Sequence, residues 1–419
     1  MFKGMVFVKK ILFVTYGGGH VNLVYPIIKA LKNYKNIEVS IIALTTAIKY
    51  FKDRGDIEYK TLSYYFNCFD KETKNNVYKY GFKLADKFHN PDVGFDYQES
   101  VMYYGFSMND LVHDYGEEKA FELFKEKGRP AFLPRKTMKK ILDIEQPDLV
   151  ITSVPFRMAK AAVIEAQLRN IKTIFIQDYY IIIESEEWVS DYYFVLKESI
   201  KDYLIKQKNI DSKKIFVTGS PVFDSKNILK FANYSREDIY NDLKIDLNNK
   251  VIMVIIDAKN LTKLNDINEI RLAINTFKEY YFIIKLHPNE ENVKRYTCLA
   301  NEFKSRVKVI KNYNNQKLLY ISDIVIGNIS TLFLEALLYN KKIIRLDIDN
   351  TYYNLLKKEH ILNQLSYPFI VNKKGLLCNM IANVLCNDYD YSKIKYSIFG
   401  NTENTLERIL TNIKAILDV

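Results

Sequence analysis

His20 follows three consecutive glycines, Gly17, Gly18 and Gly19, directly after an apolar run over residues 10–15. An imidazole titrates near neutral pH, so a histidine delivered by a strand end can take a proton from a reacting hydroxyl. The glycines let backbone approach a phosphate or an acceptor closely, because no Cβ stands in the way. Asp178, just after the run 173–177, is a rival base, with the acidic cluster Glu184, Glu186 and Glu187 behind it. A second group lies later in the chain. Lys285 and His287 sit two residues apart, ahead of Pro288, so on one strand they point to the same side and offer charge and a hydrogen bond to phosphate oxygens. Gly327 and Asn328 then break a β-branched run over 323–326, and Ser330 or Thr331 caps the helix that follows. Free N–H groups and the helix dipole favour an anion at such a point. Glu335, about one turn further on, stands where a carboxylate can accept both hydroxyls of a ribose. Each feature also has an ordinary reading: a tight turn, a histidine bonded to its own loop, a solvated acidic cluster.

The elements that must hold these groups are strands alternating with helices. Strands are expected over 10–15, 38–44, 57–62, 148–152, 173–177, 192–196 and 214–218, with helices over 21–34, 45–52, 156–169 and 198–208. Residues 63–145 break the rhythm. They are rich in Tyr, Phe, Lys and Asp with helical spacing, and read as a helical insertion and a place for acceptor specificity. Gly219 and Pro221 mark a hinge. The alternation then resumes with strands over 251–256, 281–286, 307–310, 323–326 and 343–346, and helices over 373–386 and 402–418. The fold class expected is α/β, two Rossmann-like domains facing across a cleft, with ligands at the carboxyl ends of the strands. The boundaries expected are 1–218, 219–401, and a final helix over 402–419 crossing back to the first domain.

Composition narrows the function classes. At 419 residues the chain exceeds one comfortable core, and its 48% hydrophobic and 14% aromatic content can fill two. The apolar start runs straight into the glycine turn without a small-residue cleavage site, which reads as a first strand, with Met5 an alternative start. Cys68, Cys298, Cys378 and Cys386 are scattered without metal-ligand or paired spacing, and Asp257 has no second Asp two residues away. No metal and no cofactor are therefore expected, and a reducing cytoplasm is. His89, His113 and His360 show no partners in the sequence. The formal charge of +11 comes mostly from Lys, abundant alongside Asn, Ile and Tyr, residues with AT-rich codons. Peripheral contact with an anionic membrane at its inner face fits this excess better than nucleic acid does.

With these segments assembled, the chain resembles the two-domain GT-B glycosyltransferases and their structural relatives, the UDP-N-acetylglucosamine 2-epimerases. Ile11-Leu-Phe-Val-Thr-Tyr-Gly-Gly-Gly-His20, with the Pro26-containing helix after it, resembles the opening of the peptidoglycan N-acetylglucosaminyltransferases. Residues 214–224 are similar to that family's interdomain segment. His287-Pro288 resembles an element of bacterial sialyltransferases, glycerophosphotransferases and epimerases, and Ser330-Thr331 with Glu335 resembles the donor-phosphate and ribose element. The resemblance implies a glycosyltransferase moving a sugar from a nucleotide donor to a surface polysaccharide or lipid-linked glycan. His20 or Asp178 would be its base. Gly219, Lys285, His287, Pro288, Asn328, Ser330, Thr331 and Glu335 would hold the donor, and Gly17 to Gly19 the acceptor or a phosphate. A 2-epimerase and a catalytically silent nucleotide-sugar-binding module are the alternatives. Against the epimerase stand the absence of a Gly-Thr-Arg-Pro-Glu opening and of a Ser-Gly-Gly element, and a region from 71 to 145 with no counterpart.

Overall fold

The computed structural model describes residues 8–91, 94–178, 187–224, 235–256, 264–287, 290–328, 330–351 and 369–419. They form two units, Met1–Asp224 with Asn401–Val419, and Ser225–Gly400. Among the described residues no helix is long and apolar enough to cross a membrane.

The first unit is built on six parallel strands: β1 (Lys9–Tyr16), β2 (Ile37–Leu44), β3 (Leu149–Thr152), β4 (Lys172–Ile176), β5 (Tyr192–Val195) and β6 (Ile215–Val217). Their order is β2-β1-β3-β4-β5-β6, with Ile11 beside Val39 on one flank and Leu149 on the other. Near-continuous Ile, Val and Leu runs suit strands covered on both faces. Leu12, Val14 and Tyr16 face one core, and Ile11 and Phe13 the opposite one. The first core is closed by a helical layer over residues 62–145. The second is closed by helix Gly19–Leu31 and by helix Thr405–Leu417, which contributes Ile409 and Ile413.

The strand expected over 57–62 does not form. Lys60 makes a single bridge to Ile42, and the chain then enters helix Leu62–Phe66. The reason lies in its polar side chains. Lys60 donates to Glu145 at 2.7 Å and Thr61 to Glu99 at 2.8 Å, which draws this segment off the edge of β2 and into the helical layer. Glu145 is the tie between layer and sheet. It is 2% exposed and accepts from Ser40 (2.7 Å), Lys60 and Tyr65 (2.8 Å), with Lys10 at 3.3 Å. Burial opposes its ionisation, but these donors outweigh burial and hold the carboxyl below its usual range.

Within the layer, helices Lys71–Phe88 and Tyr97–Tyr115 touch backbone to backbone. A Cβ on Gly81 would lie 2.3 Å from the Val101 carbonyl oxygen, and one on Gly105 would lie 2.2 Å from that of Val77. The last helix is capped from a distance. Asp224 Oδ2 accepts from the Thr405 amide (2.8 Å) and hydroxyl (2.7 Å), while Arg408 donates to the Thr218 carbonyl at 2.9 and 3.1 Å.

The second unit repeats the plan with β7 (Lys250–Ile256), β8 (Tyr280–Leu286), β9 (Val307–Ile310), β10 (Ile324–Gly327), β11 (Lys342–Leu346) and β12 (Ile370–Val371). All pair in parallel in the order β12-β11-β10-β7-β8-β9. Each sheet therefore reverses its direction of growth at one place: between β1 and β3 in the first unit, and between β7 and β10 in the second. A crevice opens at the carboxyl ends of the strands at such a point, and ligands of open α/β sheets bind there.

The glycine contact between the two helices is testable. Gly105→Ala should destabilise the protein by about 1–3 kcal/mol, the usual cost of overpacking, seen as a lower urea midpoint with an unchanged slope. An unchanged midpoint would show that the helices separate freely.

Candidate functional site

In the first unit, β1 delivers the glycine turn to its switch point. Gly17 is obligatory there, since a Cβ would lie 1.8 Å from Thr46 Oγ1 and 2.7 Å from the Thr46 carbonyl carbon. Gly18 takes φ +73°, and Gly19 opens the helix that carries His20. Asp178, two residues beyond β4, turns back toward this helix. Its Oδ2 lies 2.6 Å from His20 Nδ1, with side-chain exposures of 9% for Asp178 and 20% for His20. The two residues read from sequence as rival bases are thus partners. The Nδ1 N–H has no hydrogen-bond partner among the described residues, so the contact is one of charge: the carboxylate beside the ring favours the imidazolium once a proton is taken.

The loop after β3 supplies what sequence reading missed. The Phe156 ring meets His20 edge-on at 6.4 Å, and the Arg157 guanidinium lies over Phe156 (4.3 Å) and Tyr16 (4.7 Å) while donating to the Tyr103 hydroxyl at 3.2 Å. Arg157 opens its helix at φ +53°, a conformation that costs a non-glycine residue about 1–3 kcal/mol. Among the described residues no carboxylate pairs with it, so a cation is held by rings beside the dyad. The signal was available: this loop leaves a strand that sequence reading did find, at the end where ligands bind.

In the second unit, β10 ends at Gly327, where a Cβ would lie 2.9 Å from the Phe333 ring. Asn328 is 4% exposed, and its Nδ2 has no hydrogen-bond partner among the described residues. A buried donor without an acceptor is costly unless a ligand supplies one. Ser330 caps helix Thr331–Leu338, its hydroxyl accepting from the Leu332 amide at 3.2 Å. On that helix Glu335 is partly buried, and burial pushes its carboxyl up to about 7.

Other expected contributors are placed differently. Lys285 is buried, and its ammonium donates to the carbonyls of Leu286 (3.0 Å) and Lys311 (2.9 Å), so its charge is committed to backbone; burial also lowers its pKa. The His287 amide donates to Ile256 at 3.1 Å, and burial with the nearby Lys285 and Lys311 charges lowers the imidazole pKa. Gly219 belongs to the first unit and packs beneath the last helix, where a Cβ would lie 2.7 Å from the Asn401 carbonyl oxygen. Glu187 pairs with Lys160, His89 Nδ1 lies 2.8 Å from Ser100 Oγ, and His113 Nδ1 lies 3.3 Å from Asp114. Met5, Glu184, Glu186, Asp257, Pro288 and His360 lie outside the described residues. Among the described residues no group of His, Cys, Asp and Glu is arranged to hold a metal.

A family model described as UDP-N-acetylglucosamine 2-epimerase matches residues 184–414. The processive diacylglycerol beta-glucosyltransferase of Bacillus cereus (strain G9842) is 24% identical over 208 residues, 48% of this chain and 50% of that protein. The chain thus spans about half the length of the curated relative it matches. The structure of the UDP-GlcNAc 2-epimerase from Methanocaldococcus jannaschii aligns over 97% of this chain and 99% of its own, at 15% identity and a TM-score of 0.64. That of the Neisseria meningitidis enzyme bound to UDP-GlcNAc aligns over 98% and 100%, at 15% identity and a TM-score of 0.62. At these identities the structural likeness is one of fold, the two-domain Rossmann-like GT-B fold. With more than half of its residues inside the family model, the chain belongs to the UDP-N-acetylglucosamine 2-epimerase family.

Proposed function

We propose that this protein, an enzyme of the nucleotide-sugar-acting class, transfers the sugar from its donor to a hydroxyl acceptor. The observation that carries this reading is the His20–Asp178 dyad, with His20 Nδ1 2.6 Å from Asp178 Oδ2. Transfer to a hydroxyl needs a base for the acceptor proton, and an imidazole with a carboxylate beside it to balance the charge it gains is suited to that work. Both dyad residues precede the stretch matched by the epimerase model, which begins at residue 184 and takes in the whole second unit. A nucleotide site is common to epimerisation and transfer, so that match is compatible with either. The Bacillus relative is itself named a glucosyltransferase.

In this reading the second unit holds the donor. Asn328 Nδ2 and the N–H groups opening helix Thr331–Leu338 meet the phosphates, whose departing charge they stabilise. Glu335 takes the ribose hydroxyls. The first unit holds the acceptor, His20 takes its proton, and Arg157 adds positive charge. The acceptor is read as a surface polysaccharide or lipid-linked glycan met at the inner face of the membrane. Epimerisation at C2 is the second reading, favoured by the family model itself.

Incubation with UDP-N-acetylglucosamine and no acceptor separates the two. Transfer predicts that no N-acetylmannosamine is released, and its appearance would select the epimerase. With a working acceptor, His20→Ala and Asp178→Asn should each lower kcat by about 10²–10⁴-fold while donor affinity stays nearly intact. Near wild-type turnover in His20→Asn would move the base elsewhere.

Glu335 predicts a pH dependence of donor binding. The free carboxyl titrates at about 7. Ribose hydroxyls donate to its ionised form and draw the pKa down in the complex. Affinity is then full above pH 7 and falls as the pH drops below it, by up to about tenfold per unit until the bound pKa is reached. Calorimetry between pH 8 and pH 6 reads this slope. Glu335→Gln should flatten it and weaken binding at pH 8 by roughly 1.5–3 kcal/mol. Because burial penalises the ionised carboxylate in the folded state, the same change should leave the Tm at pH 8 equal or higher. A wild-type affinity that does not vary with pH would remove Glu335 from the site.

A further inference from the structure

The helical layer of the first unit, with Thr45 and Thr46, lines a half-open cavity of about 840 Å³, within the roughly 300–1,000 Å³ range of ligand pockets. Its walls are apolar and aromatic. Phe124 and Tyr104 are buried there and meet Phe88, which is itself 45% exposed. Its polar side is of one sign: Lys83, Lys87, Lys125 and Arg129 line it, with no aspartate or glutamate among the lining residues. None of the four is ion-paired among the described residues. Lys83 lies instead over the Phe121 ring at 3.9 Å and Lys87 over Phe88 at 5.4 Å. Lys83 shares the neighbourhood of Glu117, while the other three cations have no carboxylate partner among the described residues, and an anion attached to an apolar body offsets their charge and covers the exposed apolar surface.

Two residues join this cavity to the dyad crevice. Thr46 lines it and packs against Gly17, and Tyr103 lines it while its hydroxyl accepts from Arg157. The helix that supplies Lys83 and Lys87 also exposes Tyr78 and Phe82, stacked at 5.4 Å with 37% and 43% of their surface in solvent. At about 3.6 residues per turn these two rings lie well round the helix from Lys83 and Lys87, so the apolar walls and the cations of the cavity itself carry the case for an amphiphile.

We infer that this cavity binds a membrane-derived amphiphile, its apolar chain against Phe88, Tyr104 and Phe124 and its phosphate between the four cations. Calling that ligand the acceptor rests on the transfer reading. Its binding does not, and is measured without turnover.

The probe is dodecyl phosphate below its micellar concentration, titrated by calorimetry into the full-length protein. Dodecyl maltoside is the uncharged control, and phosphatidylcholine vesicles with and without phosphatidylglycerol test the membrane source. The inference expects saturable binding of dodecyl phosphate at least tenfold tighter than of the maltoside. A Lys87→Gln/Arg129→Gln variant, altered at two exposed positions, should lose about 10–100-fold. The protein should float with the phosphatidylglycerol vesicles, and these should displace the probe. Equal affinity for both dodecyl compounds, or wild-type affinity in the double variant, overturns the site. Binding of the probe without flotation or displacement overturns the membrane source and leaves a soluble amphiphile as the occupant. A thermal-shift panel of UDP-, CMP-, GDP- and CDP-sugars on the same variant keeps the failures apart. Donor stabilisation should persist in the variant, and its absence from the wild type would count against the nucleotide-sugar reading instead.

Discussion

Everything in the first unit hangs on the burial of both faces of β1. Residues 11 to 14 and 16 are no more than 4% exposed, with odd and even positions in different cores. A strand held this way cannot slip by one residue without exchanging the two sets of side chains between cores. Nor can it present a polar group to a ligand between Ile11 and Val14. Its chemistry is confined to where it ends, and the glycine turn begins there. The second unit obeys the same rule at β10, a buried strand whose functional groups start after its last residue.

That rule explains what could be read from sequence. Buried parallel strands are written as runs of Ile, Val and Leu, so the order of elements around His20, Asp178 and Asn328 was legible, as was the helical character of residues 63–145. Contacts among residues distant in the chain were not. Nothing in the sequence joins Asp178 to His20, because their closeness depends on β3 and β4 lying side by side. The commitment of Lys285 to two carbonyls was hidden for the same kind of reason: one of its acceptors, Lys311, belongs to a different strand connection. The strand expected over 57–62 does not form because the buried carboxylate of Glu145, distant in the chain and invisible to local alternation, competes for Lys60.

Two features carry a local stability cost. Arg157 sits in a left-handed conformation at the start of a helix, and Glu335 keeps a carboxyl in surroundings that resist its charge. Both lie at the carboxyl end of a sheet, one turn or less from groups that suit an anionic ligand. Strain and desolvation retained at such positions are what a binding site requires, since the ligand supplies the missing partners.

The placement of helix Thr405–Leu417 bears on the order in which the chain matures. Its Ile409 and Ile413 are part of the core beside Phe13, and Asp224 caps it. On the ribosome, a domain can close only after its last core residue has emerged. Residues 225–400 are therefore complete before the first unit is, although most of the latter is synthesised earlier. Until residues 405–417 arrive, the face of β1 bearing Ile11 and Phe13 lacks part of its cover. The glycine turn with its histidine is made before the second unit, yet the unit that carries it is sealed after the second one is complete.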